Sequence, residues 1–484
     1  SASPSPSPAP VAGVGKPNIV VIVSDDLGFT DVSWRPNSDL KGVTPNLDAL
    51  RATGVDLDSF YASSTCTPSR AALMTGRYAS RLGMDDGPIG PKSTNGIPLE
   101  EVLVPQELRL AGYRTAAFGK WHLGIHDVGA LPTRRGFERY YGFWGSGGVD
   151  YWNKTSGDWV DLRDDEAAVT DAGELAEYNT DLISRKAAEH IAAHASSAPL
   201  PPLFMYLALP NVHSPIQAPD VSYTACGGVA NLQRRGMCAM VHAMDVAIGR
   251  VVDALHAADM MNNTVVWLVN DNGGSPNLGS VNAPLTGGKG GPTEGGVRVA
   301  SVLWASPNLL PAARANSTWS GLAHITDVYP TLLDIAGRDR APTCASLDGS
   351  SLWDAIRLDL GSPRTEVLHQ VANDTGGAIR VGDLKLLEDA RLADAPTVPT
   401  DPLATMTITN FGGRASRLFN ITADPYETTD LAAALPDEFA SITARLAWHR
   451  ALRPEVVIGS GGDDADDAAL ADGGYWAPWL DTTS

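Results

Sequence analysis

Basic charge is what this sequence has least of. Thirty-six Lys and Arg stand against 56 Asp and Glu, a formal net charge of -20. So acidic a chain has no surplus with which to neutralise a phosphate backbone, which excludes a nucleic-acid binder. It also means that an anionic substrate would need a local basic pocket. Cysteine is scarce too: Cys66, Cys226, Cys238 and Cys344 are all there are among 484 residues, too few for a disulfide scaffold. Cys226 and Cys238 are near enough in sequence for a short-loop disulfide, with two free buried thiols the equal alternative. No apolar run is long enough to cross a bilayer. The N-terminus, SASPSPSPAP, has neither a charged n-region nor an apolar h-region, as expected of a chain whose signal peptide has been removed. No internal repeat of useful period is visible.

What is present is ordinary globular material. A hydrophobic content of 43% in a chain this long can bury a large core. Residues 1–16 form a Ser/Pro-rich arm that favours extended polyproline II. Five Asn-x-Ser/Thr sequons, at Asn153, Asn262, Asn316, Asn373 and Asn420, join that arm in favouring a secretory route.

The apolar, β-branched run Asn18 to Val23 reads as a strand buried on both faces. Thr44-Pro45 opens a helix that Gly54 closes. Helices are predicted from Thr65 to Gly76, Val102 to Ala111, Leu175 to Ala195, Leu232 to Ala258 and His324 to Ala336. Strands are predicted from Tyr113 to Phe118, Leu203 to Leu209, Thr264 to Val269 and Val297 to Trp304. This alternation implies an α/β fold, a sheet with helices on both faces and ligands gathered beyond the strand ends. Past about Pro363 short strand-like runs (367–371, 378–381, 384–387) predict a smaller α+β domain. The division expected is therefore the arm, a catalytic domain over 17–363 and a C-terminal domain over 364–484. Residues 460–474, rich in Gly, Asp and Ala, are expected to be mobile.

Three groups of residues carry chemistry. Cys66-Thr67-Pro68-Ser69-Arg70, in the setting STCTPSRAALMTGRY, opens a predicted helix. Asp25 and Asp26 follow one strand, and Asp271 and Asn272 follow another. Their oxygen-only donor set suits a hard cation, Ca²⁺ or secondarily Mg²⁺, rather than zinc. Lys120 and His122, His213, and Lys289 lie in three further loops and could supply fixed positive donors and a proton for a leaving group.

The C-x-P-S-R run and its setting resemble the sulfatase family, whose members oxidise that cysteine to formylglycine before folding. The likeness extends along nearly the whole chain after the arm. It is nearest the arylsulfatase B (N-acetylgalactosamine-4-sulfatase) branch, on LPTRRGFERYYGF, LFMYLALPNVHSPIQAP, MNNTVVWLVNDNGG, PLTGGKGGPTEGGVRV and LFNITADPYETTDLA. It implies an alkaline-phosphatase-like fold with a large central mixed sheet. It also implies an arylsulfatase-type hydrolase with a formylglycine nucleophile from Cys66 and Arg70 beside it. Calcium is then held by Asp25, Asp26, residue 66, Asp271 and Asn272. Lys120 and His122 hold the formylglycine, and His213 and Lys289 serve the sulfate and the leaving oxygen, with Ser146 nearby. The implied partners are a sulfated small molecule or glycan, N-acetylgalactosamine 4-sulfate among the candidates, and a formylglycine-generating enzyme during biosynthesis. A secreted or extracellular location follows, with the lysosome as alternative. The rivals are a formylglycine-dependent phosphonate or phosphate ester hydrolase and an inactive extracellular binding protein. The glycine-rich stretch Gly287 to Gly296 departs from the branch and is expected to leave the pocket mouth wide.

Overall fold

A computed structural model describes residues 15–145, 147–197, 200–338, 346–371, 376–393, 398–401, 403–406, 410–455 and 459–480. Cys344, Ser146, Asn373 and most of the Ser/Pro arm therefore lie outside the described residues.

The fold is α/β, as the alternation predicts, with the large mixed sheet that the resemblance implies. Ten strands run in the spatial order Ser317–Trp319, Val55–Leu57, Val302–Ala305, Thr264–Asn270, Asn18–Ser24, Leu203–Ala208, Arg114–Lys120, Arg139–Phe143, Arg163–Asp164 and Ala167–Ala168. The five strands from Thr264–Asn270 to Arg139–Phe143 are mutually parallel. The central strand, Asn18–Ser24, is buried throughout. Ile19, Val21 and Val23 point to one face, among Ala71, Val104, Leu108 and Leu332. Val20 and Ile22 point to the other, among Leu182, Ile183, Met240 and Ile248. Two apolar faces on one strand explain the unbroken hydrophobic run, because a two-residue period leaves no position for solvent. Each large apolar side chain so buried contributes about 1.5–3 kcal/mol. The second face is covered by the helices Asn179–Ala195 and Leu232–Ala257, which also touch each other.

Cys226 and Cys238 form a disulfide, so of the two readings the bonded one holds. Two predicted elements change. Leu175 to Ala195 is broken, because Ala172–Ala176 forms a separate short helix before Asn179. Val297 to Trp304 is not one strand: Glu294–Val297 is a helical turn and only Val302–Ala305 joins the sheet. The run gave no sign of the break, since its residues from Val297 to Leu303 are all buried.

Beyond the large sheet, four antiparallel strands (Glu366–Gln370, Gly377–Val381, Leu384–Ala393 and Asn410–Asn420) carry the helix Pro436–Ala451. Leu368, Ile379, Leu386, Leu418, Ile442 and Leu446 fill the space between them. Within 460–474, the segment expected to be mobile, Gly462–Ala471 forms a helix. Asp463 and Asp464 lie in its first turn, where the helix dipole favours acid. Ala465 and Ala469, one turn apart, are buried with Trp476 in the core of the large sheet. Hydrogen bonds from Gly461 N to Lys92 O (2.7 Å) and from Leu480 N to His126 O (2.8 Å) anchor the segment.

A buried charge cluster joins the small sheet to Tyr61 and to the helical turn at Glu294. Lys385 Nζ, fully buried, lies 2.8 Å from Glu294 Oε1 and 2.9 Å from Glu427 Oε1. Tyr61 donates to Glu294 Oε2 at 2.8 Å, and Arg380 donates to the Tyr61 oxygen at 2.6 Å. Burial pushes the Glu427 carboxyl up to about 7 against the pull of Lys385. Burial opposes ionisation of Glu294 as well, but Lys385 and Arg298 outweigh it and hold that carboxyl low.

Candidate active site

The register of the parallel strands levels their carboxyl ends. Ser24 pairs with Asn270, Val23 with Ala208, and Ala208 with Gly119. The residues that follow, Asp25-Asp26, Asp271-Asn272, Lys120 to His122 and Asn211 to His213, therefore emerge side by side. Asp25 N donates to Asn211 O at 2.8 Å, and Asp271 N to Ser24 O at 3.2 Å. Asn270, which the sequence did not single out, staples two of these loops. Its Oδ1 accepts from Leu27 N at 3.3 Å, and its Nδ2 donates to Leu27 O and Asn272 O, both at 2.6 Å. Asp26 and His122 have left-handed backbones, φ 62° and 58°. Such strain costs on the order of 1–3 kcal/mol and aims these side chains where a relaxed turn would not.

Cys66 begins the helix Cys66–Thr75, every residue of which is buried. Gly76 ends it in the left-handed conformation, its N–H on Ala72 O. Ser69 Oγ accepts from Ser63 N at 2.9 Å and fixes the loop before the cysteine. Burial pushes the Cys66 thiol up to about 11, offset in part by Lys120 and Lys289. As encoded, the side chain is a protonated thiol at neutral pH and a poor nucleophile.

Around it stand the other expected residues. Arg70, fully buried, grips Asp271 Oδ2 through Nε (2.9 Å) and Nη2 (2.8 Å), and lies 3.7 Å from Asp25 Oδ2. It supports the acidic residues, with Cys66 one turn back along the helix. Lys120 Nζ reaches Asp25 Oδ2 at 2.6 Å and Gly147 O at 2.5 Å. Lys289 Nζ lies 2.7 Å from Asp26 Oδ2, and Gly290 N donates to Ser64 O at 2.7 Å, which ties that loop to the one before Cys66. His213 Nε2 is 3.8 Å from the same Asp26 oxygen. Its Nδ1 lies 2.8 Å from Ser214 O, a pure acceptor, so Nδ1 carries the proton. By the same argument His122 Nε2 donates to Ile89 O at 2.7 Å, leaving Nδ1 a buried acceptor without a partner. Burial, reinforced by the charge of Lys120, holds His122 well below the usual imidazole range, so it is neutral. Burial works against ionising Asp25, but Lys120, His213 and Arg70 outweigh it and keep that carboxyl low.

The donor atoms of Asp25, Asp26, Cys66 and His213 all lie within 4.8 Å of one another. Asp25 Oδ1 and Asn272 Oδ1 are buried and accept no hydrogen bond. Stranded oxygens cost about 1–3 kcal/mol each, more if charged, and a hard cation is the partner that satisfies acceptors without a proton. The residues thus fit a divalent ion. Asp271 keeps one oxygen on Arg70 and the other, Oδ1, 3.3 Å from Asp26 N.

The glycines from Gly287 to Gly296 do not simply trim the pocket wall. A Cβ on Gly287, Gly288, Gly295 or Gly296 would fall 2.1–2.6 Å from neighbouring atoms, so Gly287, Gly295 and Gly296 permit close packing of the loop on itself and Gly288 permits its packing on Gly274 and Pro276. Gly290 alone of the stretch faces open space. Sequence reasoning missed the backbone partners, Gly147 O and Ile89 O, since any residue type offers a carbonyl.

A family description, Sulfatase, matches residues 17–338. Arylsulfatase J of Mus musculus is 34% identical over 97% of this chain and 81% of its own length. Arylsulfatase A of Homo sapiens is 31% identical over 86% of this chain and 83% of its own. The solved structure of Ps i-CgsB in complex with k-i-k-neocarrahexaose superposes at a TM-score of 0.79, with 27% identity, covering 95% of this chain and 98% of that one. The phosphonate monoester hydrolase of Agrobacterium radiobacter shares the fold alone, at a TM-score of 0.62 and 18% identity over 92% of this chain and 99% of its own. With the family match spanning most of the chain and an arylsulfatase relative spanning nearly all of it, this protein belongs to the sulfatase family and is a sulfuric ester hydrolase.

Proposed function

We propose that residue 66 acts as formylglycine, in a calcium-assisted arylsulfatase-type hydrolase of the arylsulfatase B kind. The observation that carries this reading is the set of acceptors stranded around Cys66: Asp25 Oδ1, Asn272 Oδ1 and His122 Nδ1. The first two suit a cation. The third suits a hydroxyl donor, which a thiol supplies poorly and a hydrated aldehyde supplies well. Cys66 is 1% exposed, which agrees with modification of the chain before it folds.

In the sequence of steps, one hydroxyl of the hydrate attacks sulfur and passes its proton to one of the neighbouring carboxylates. The S–O bond to the alcohol breaks, and the alcohol leaves with a proton from His213 or Lys289. The second hydroxyl then passes its proton to His122 Nδ1, the C=O bond re-forms, and the bond from that carbon to the sulfate oxygen breaks. Water rehydrates the aldehyde. Lys120 and His122 hold the hydrate, and Lys289 holds a sulfate oxygen. A calcium ion on Asp25, Asp26, Asp271 and Asn272 would supply Lewis-acid polarisation of oxygen at this point. Three acidic side chains (Asp25, Asp26, Asp271) face three basic ones (Arg70, Lys120, Lys289), so a bound dication favours an anionic ester.

We take residues 17–363 as the catalytic unit, with 459–480 packed back onto it and the four-stranded sheet between them. A secreted location is supported by the Cys226–Cys238 disulfide and by exposed sequon asparagines at 153, 262 and 316. The testing experiment is sulfate release from a panel of aryl and sugar sulfates by purified protein. Release from none of them, with phosphonate or phosphate esters cleaved instead, would overturn the reading.

A further inference from the structure

A cavity of about 580 Å³ opens beside the site, between residues 84–95, the hairpin Thr155–Val160 and the returning segment 459–476. Its size falls within the roughly 300–1,000 Å³ of small-molecule pockets. One wall is shared with the catalytic residues. Ile89, which lines the cavity, accepts from His122 Nε2 through its carbonyl and donates through its N–H to Thr67 Oγ1, 3.3 Å away, next to Cys66. Trp159 and Lys92 also line the cavity. Both are held by one carboxylate: Trp159 Nε1 donates to Asp466 Oδ1 at 3.0 Å, and Lys92 Nζ lies 2.5 Å from Asp466 Oδ2. Trp476, beneath, donates to Ser156 O at 2.9 Å and pins the hairpin. The walls thus present a half-buried indole fixed in position, not a mobile surface side chain.

Charge on these walls is mostly spent internally. Lys92 is matched by Asp466, and Asp86 by Arg453. Little is left to attract a second sulfate. A fixed aromatic face with neutralised polar neighbours suits the apolar face of an uncharged pyranose ring.

We infer that this cavity is a carbohydrate subsite, which binds a neutral sugar next to the one that bears the scissile sulfate. The inference rests on the sulfatase reading of the site and names its substrate class as an extended glycan. Remote contacts of this kind raise turnover of the long substrate above that of its sulfated end alone.

The test compares Trp159→Ala, Trp159→Phe and the native enzyme. The substrates are 4-nitrophenyl sulfate and 4- and 6-sulfated galactose, glucose and N-acetylgalactosamine. Each sugar is given as the monosaccharide and as a trisaccharide with two neutral sugars attached. The native enzyme should prefer at least one trisaccharide to its monosaccharide by tenfold or more in kcat/KM. Trp159→Ala should erase most of that ratio and Trp159→Phe should keep part of it. Equal kcat/KM for mono- and trisaccharides, an unchanged ratio in Trp159→Ala, or turnover of nitrophenyl sulfate with no sugar sulfate each overturns the subsite while leaving the sulfatase reading intact. Failure to release sulfate from any of these esters sinks the reading beneath it.

Discussion

Replacing Lys385 by Met removes one ammonium from between two buried carboxylates. The side chain is fully buried, 2.8 Å from Glu294 and 2.9 Å from Glu427, so water cannot replace what is lost. Breaking a buried pair by deleting one partner costs about 3–5 kcal/mol, because the other charge stays buried. Here the cost should depend on pH, and the sign can be worked out. Glu427 titrates near 7 in the folded protein, above the ordinary carboxyl value. The stability that goes with its protonated form is present at low pH and lost as pH rises through about 7. At pH 5 Glu427 is protonated with or without Lys385, and only Glu294 misses its counter-charge. At pH 8 both carboxylates must stay ionised without Lys385 or take up protons from dilute solution. The variant should therefore lie several degrees below the native protein in thermal midpoint at pH 8, and distinctly closer to it at pH 5. Adding Glu427→Gln should recover part of the pH 8 loss. The measurement is thermal unfolding of the three proteins at both pH values. An equal deficit at pH 5 and pH 8, or none, would refute the reasoning. Activity should fall too, since Glu294 is in the loop that carries Lys289 and its N–H donates to Glu427 Oε2 at 2.8 Å.

Peptide mass spectrometry of active protein should find the aldehyde at position 66; unmodified cysteine in fully active enzyme would end the formylglycine proposal. Elemental analysis should return about one calcium per chain, and chelation should weaken inhibition by free sulfate along with turnover; inhibition untouched by chelation would remove the metal from the anion site. Lys289→Ala should lose roughly a hundredfold in kcat, about 3 kcal/mol, as for one preorganised donor; native-like kinetics would exclude it. Asn272→Ala should lower metal affinity with little change in fold, measured by calcium titration, and unaltered affinity would remove Asn272 from the ligand set.

Much of this was legible in sequence because it is local. The run NIVVIV needs two apolar faces, and polar residues after strands of a parallel sheet gather at one edge. The acidic pair at 25–26, the pair at 271–272 and the basic loops were placed after strands that way, and the family resemblance supplied the roles proposed for them. What escaped depends on three-dimensional closeness. Composition made Gly462–Ala471 look mobile, and the burial of Ala465 and Ala469 one turn apart was masked by the acids around them. The glycines at 287, 288, 295 and 296 read as missing side chains, whereas their use is close packing within the loop and, for Gly288, against Gly274 and Pro276. Gly147 O and Ile89 O carry no signal at all, because a carbonyl is common to every residue.

The levelled strand ends have a consequence for assembly. The central strand begins at Asn18, and its neighbours on either side begin at Leu203 and Thr264, with Arg114–Lys120 beyond the first of them. No short fragment of the chain can bring Asp25, Lys120, His213 and Asp271 together, and pairings of such long sequence separation close late in folding. Until they close, the segment around Cys66 is an accessible peptide. The interval between emergence of that peptide and completion of the sheet thus sets how long a modifying enzyme has to act. Under the formylglycine reading, the fraction of working catalyst is decided by a race in time, and chains that close unmodified remain inactive however well they are folded.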